Sequence, residues 1–173
     1  MRKALIGLIG LSISVGAHAQ DADVTEYAAA QSSERVMTEC LSQADLGHGK
    51  LLGCVGVIAN PCLENAVSTR EILDCTAQET EFWDRRLNVA YKELRAVYAE
   101  QDVEDDFSII NLAPMLQTTQ RKWIEWRDTK CTYFELNRFR GGTLGRVAAA
   151  DCAMSMTAER VDELEELLDE ARM

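Results

Sequence analysis

Asp84, Arg127 and Asp128 come nearest to an acid–base set in this chain. Two carboxylates beside a guanidinium can move protons, but catalysis also needs a nucleophile, a metal or a base in a cleft. His18 lies in an N-terminal leader, so His48 is the one histidine left after its removal. The six cysteines contain no Cys-x-x-Cys pair, which argues against a redox centre and a zinc site alike. Gly141-Gly142-Thr143-Leu144-Gly145 lacks the lysine and preceding strand of a phosphate cradle and reads as a turn with a helix start. No catalytic residue, metal site or cofactor is expected. Asp84 and Arg127 are then expected to be structural, opposite charges held within a fold.

The elements that would position them follow from spacing. In one helix over residues 112–138, Leu116, Gln120, Trp123, Arg127, Cys131 and Phe134 fall on one side. That stripe is largely apolar yet carries an amide and a guanidinium, whose burial is costly without partners. Asp84, Asn88 and Tyr91 share a face of the preceding helix (i, i+4, i+7) and are the expected partners. Two helices should therefore face each other across a core with a polar network. Its expected members are Asp84, Asn88, Tyr91, Gln120, Arg127 and Asp128, with Thr157 and Arg160 from the C-terminal segment.

Helical signals run through the whole chain. A first helix over about 25–45 ends at Gly47-His48-Gly49, and a short one over about 50–59 stops at Asn60-Pro61. Ser68-Thr69-Arg70-Glu71 is a capping box that opens a long helix to about Gln101, with Trp83, Leu87, Ala90, Leu94 and Val97 as its apolar stripe. Gln101–Asn111 reads as an exposed loop carrying Asp102, Glu104, Asp105 and Asp106. Pro114 suits a first helical turn. Beyond the Gly141-Gly142 turn, Leu144–Ala153 and Thr157–Ala171 read as two further helices. Alternating strand patterns do not appear, so the expected fold is all-α, a disulfide-stapled helical bundle. Trp126 lies off the apolar stripe and is a candidate partner contact, as are the four loop acids.

Composition sets the compartment and the partners. Arg2 and Lys3, the apolar run Ala4–Val15 and Ala17-His18-Ala19 make residues 1–19 a signal peptide. Residues 20–59 read as an N-terminal helical extension and 60–173 as the main domain. No later run approaches a membrane span, and Gln20 at the cut offers no lipidation cysteine, so a soluble periplasmic or secreted chain without membrane anchor is expected. Of 18 basic residues, loss of Arg2 and Lys3 leaves 16 against 29 acidic, a net charge of −13. Such acidity argues against nucleic acid and favours a cationic partner. Cys40, Cys54, Cys62, Cys75, Cys131 and Cys152 form an even set beyond the leader and read as disulfides. Fifteen pairings are combinatorially open, and neighbours in sequence are the favoured ones: Cys40–Cys54, Cys62–Cys75 and Cys131–Cys152.

The series Asp84, Leu87, Asn88, Tyr91, then Gln120, Arg121, Trp123, Arg127, Asp128, Cys131, then Gly141-Gly142, Cys152, Thr157 and Arg160 resembles the LprI-like lysozyme-inhibitor family over residues 60–170. That resemblance implies a small exported helical domain that is not an enzyme and binds a lysozyme, many of which are cationic. The alternative is a structural or protein-interaction module of the cell envelope with no lysozyme activity.

Overall fold

In the computed structural model, residues 32–43, 49–104 and 109–173 are described. Among them every regular element is helical: α1 over residues 32–43, a 3-10 helix Lys50–Cys54, α2 Ala59–Leu63, α3 Thr69–Glu104, α4 Leu112–Phe139 and α5 Thr143–Ala171. The leader, the proposed helix start at Thr25, the Gly47-His48 break, Asp105 and Asp106 lie outside the described residues.

The start of α3 is fixed by its capping box. Ser68 Oγ accepts from Glu71 N at 3.3 Å, and Glu71 Oε2 accepts from Ser68 N and Val67 N, both at 2.8 Å. Those bonds, Val67 first, hold the Glu71 carboxyl below the ordinary glutamate range. The helix then runs 36 residues, past the expected end at Gln101, and buries Trp83, Leu87, Ala90 and Leu94. α4 returns antiparallel beside it, since Asp84 of α3 meets Arg127 of α4 and Asp102 meets Leu112. A tight turn leads into α5. Arg140 takes the left-handed conformation at φ 50° and Gly141 follows at φ 77°. α5 packs back along both helices. Gly145 lies close against α4, where an added Cβ would be 2.8 Å from Glu135 Cγ.

Met154, Ala158, Val161, Leu164 and Leu168 of α5 join Trp83, Leu87 and Leu94 in one core. Met37, Leu51, Cys54 and Ile58 belong to the same core, so α1 at Met37 and residues 51–58 pack on the bundle. The three disulfides are Cys40–Cys54, Cys62–Cys75 and Cys131–Cys152. The first two tie the N-terminal elements to one another and to α3, and the third closes the α4–α5 hairpin. Each contributes about 3 kcal/mol in the loop-entropy model.

Three expectations are corrected. Asn60-Pro61 does not stop a helix. Both lie in α2, where Pro61 occupies the first turn and lacks only an N–H the turn leaves unbonded. Leu144–Ala153 and Thr157–Ala171 are one continuous helix, because Met154-Ser155-Met156 holds neither glycine nor proline and Thr157 Oγ1 bonds back to Ala153 O at 2.7 Å. Phe134 lies at the rim of the α4 stripe and is exposed rather than buried.

Candidate functional site

Trp123, half-buried on α4, is the centre of the polar network. Two guanidiniums contact its ring, Arg127 with Cζ 5.3 Å and Arg160 with Cζ 5.8 Å from the centroid. Cation–ring contacts of this kind contribute about 0.5–2 kcal/mol each, the more so when water is excluded. Arg160 is 5% exposed. Its Nε donates to Gln120 Oε1 at 3.0 Å and its Nη1 to Glu163 Oε2 at 2.6 Å. Arg127 Nη1 donates to Thr157 Oγ1 at 3.1 Å and pairs with Asp84 Oδ1 at 3.5 Å, while its Nε reaches Asp128 Oδ1 at 3.0 Å. Residues of α3, α4 and α5 are thus brought to one point.

The expected partnerships need revision. Gln120 is satisfied by Arg160 of α5, not by α3. Asn88 is exposed and donates to its own helix at Asp84 O, 2.8 Å away. Tyr91 packs against the core at the side. The Asp84 and Asp128 carboxylates keep 48% and 61% of their side-chain exposure, so Arg127 closes a network open to water rather than one sealed in the core. Asp84, Asn88, Tyr91, Gln120 and Arg127 instead line a groove of about 370 Å³ between α3 and α4.

The supposed acidic loop is also redrawn. Asp102 lies on the last turn of α3 and accepts from Leu112 N at 2.6 Å and Ala113 N at 3.0 Å, so it caps the start of α4. Glu104 is exposed at the end of α3. Trp126 is 58% exposed and lies with Met115 and Tyr133 on the outer face of α4.

Two acids outside the expected set do more than any within it. Glu79 is fully buried, and its carboxylate accepts four N–H groups: Gly56 N at 2.6 Å and Trp83 Nε1 at 3.0 Å on Oε1, Ile58 N at 3.0 Å and Ala59 N at 2.8 Å on Oε2. Asp162 holds Gly49 N at 2.8 Å and Leu51 N at 3.4 Å. The available signal for Glu79 was its place one turn before Trp83 on an otherwise apolar stripe. For Asp162, inside an acidic run, there was none. Among the described residues no group of His, Cys, Asp and Glu could hold a metal, and no helix is long and apolar enough to cross a membrane.

The family model described as Lysozyme inhibitor LprI matches residues 62–164, which span the Cys62–Cys75 bridge, the groove and the Trp123 network. The chain is 31% identical over 131 residues to an uncharacterized protein of Rhizobium meliloti (strain 1021), covering 70% of this chain and 92% of that one. No solved structure matches. The chain belongs to the lysozyme inhibitor LprI family.

Proposed function

We propose that the mature chain is an exported, non-enzymatic inhibitor that binds a cationic lysozyme. The family match over residues 62–164 is the observation that carries this reading. The charge distribution supports it. α5 carries Arg146 and Arg160 against eight acids, and Asp151, Glu159 and Asp169 stand exposed along it. A cationic enzyme would be steered towards such a surface, gaining association rate more than final affinity. The test is lysis of cell walls by lysozyme with increasing amounts of the protein, at low and at physiological salt. Inhibition that saturates near equimolar protein and weakens with salt is expected. Full lysis at large molar excess and low salt would remove the reading.

The outer face of α4 favours the second reading, an envelope protein-interaction module. Met115, Trp126 and Tyr133 expose large apolar groups at helical spacing, a pattern that marks contact surfaces. Trp126→Ala that leaves lysozyme inhibition unchanged but abolishes capture of an envelope partner would establish it.

A further inference from the structure

The groove between α3 and α4 is lined by six uncharged side chains beside Asp84, Arg121 and Arg127. Two of its carboxamides come from α4, Gln117 and Gln120, and one from α3, Asn88. Each amide can donate and accept at once. Tyr91 adds a ring and a phenol, and Leu87 with Ile124 supplies an apolar floor. At one end the charges of Asp84 and Arg127 are paired at 3.5 Å, so neither is left to demand a strongly charged ligand. Gln120 is 6% exposed and its Oε1 is taken by Arg160 Nε, so its N–H groups are what it has left for the groove it lines. That NH2 is not sealed from water, so it is available to a ligand entering the groove.

We propose that this groove binds a short stretch of N-acetylated amino-sugar chain. The acetamido group supplies the complement. Its carbonyl would accept from Gln120, its N–H would donate to the Gln117 or Asn88 oxygen, and its methyl would rest on Leu87 and Ile124. The sugar ring has an apolar face for Tyr91 and hydroxyls for the remaining amides. The volume of about 370 Å³ falls in the range of small-ligand sites and is open to solvent, as a chain passing through requires. A carboxylate ligand would find Arg121 but would leave the amide donors and acceptors poorly matched. An unacetylated glycan could offer Gln120 hydroxyl oxygens but has no amide N–H for Gln117 or Asn88 and no methyl for Leu87 and Ile124.

The probe is tetra-N-acetylchitotetraose, titrated into the mature protein by calorimetry and by tryptophan fluorescence. Trp123 stacks on Arg127, which lines the groove, and serves as the reporter. Cellotetraose, with the same ring backbone and no acetamido group, is the control. Saturable binding of the acetylated chain is expected, with cellotetraose about tenfold weaker or more. Gln117→Ala and Asn88→Ala, at exposed positions, should each weaken it about tenfold with the melting temperature unchanged. Absence of saturation at millimolar sugar, equal affinity for both sugars, or variants that bind as well as wild type would each overturn the proposal. Lysozyme is absent from this titration, so its outcome is independent of the inhibition assay.

Discussion

Glu79→Gln should be the most damaging conservative substitution in the molecule. The side chain is fully buried and its two oxygens each accept two N–H groups. Glutamine keeps the shape but replaces one oxygen with an NH2, so two of the four donors would face another donor. A buried donor left unsatisfied costs about 1–3 kcal/mol, and bonds to a charged acceptor lie at the upper end. The expected loss is therefore about 2–6 kcal/mol, against a total of about 5–15 kcal/mol for a typical domain. Chemical unfolding of the oxidised protein, followed by helical circular dichroism, measures it. Hydrogen exchange locates it. Gly56, Ile58 and Ala59 amides should lose protection while the α4–α5 hairpin keeps its own. A variant within about 0.5 kcal/mol of wild type, the range of an ordinary surface change, would refute the view that this carboxylate holds the 56–59 turn against α3.

Arg127→Ala should cost about 1–2 kcal/mol, the bond to Thr157 and the contact with Trp123. A loss above about 4 kcal/mol in the same unfolding experiment would mean that Asp84 is left uncompensated in a dry site. Asp102→Ala should cost about 1 kcal/mol by uncapping α4, whereas Glu104→Gln, at an exposed site, should leave the melting temperature unchanged. Gly145→Ala should destabilise despite the better helix propensity of alanine. Its Cβ would sit 2.8 Å from Glu135 Cγ and 3.3 Å from Glu135 O, and overpacking of this kind costs about 1–3 kcal/mol in a melting curve. The folded pKa of Glu71 is depressed, so its capping contribution is present above the unfolded value and lost as pH falls through the folded one. Amide protection of residues 69–72 should fall in that acidic window, and Glu71→Gln should flatten the response.

What was legible in the sequence was local. The capping box needs only Ser68 and Glu71 three residues apart, and the disulfides join neighbours across short loops. The Trp83–Leu94 stripe follows from a single period. Arg127 and Gln120 stand out on the α4 stripe as costly to bury, and the nearest facing helix in sequence offers Asp84, Asn88 and Tyr91 as their partners. The structure gives Gln120 to Arg160, forty residues away, because α5 lies against α4 along its length. Asp102, Glu79 and Asp162 were illegible for the same reason. Nothing near a carboxylate in sequence marks which distant amides it will meet. Glu79 alone left a trace, since an acid on a buried stripe must be compensated.

These carboxylates change how the acidity of the chain should be read. Glu71, Glu79, Asp102 and Asp162 each end at amide N–H groups near the start of a helical element, where an anion is favoured by unbonded donors and by the helix dipole. Part of the negative charge is therefore committed to the scaffold, sealed inside it at Glu79 and at the surface at Glu71. What remains is unevenly placed. α4 has Arg121, Lys122, Arg127, Lys130 and Arg138 against Glu125, Asp128 and Glu135, whereas α5, with Asp162 set aside, has two basic residues against seven acids. A cationic protein is drawn to the α5 surface and repelled by the outer face of α4, where Lys122 and Lys130 flank Trp126. The exposed aromatic stripe and the acidic helix are thus addressed to partners of different charge, and an inhibitor steered by electrostatics would engage its enzyme through α5.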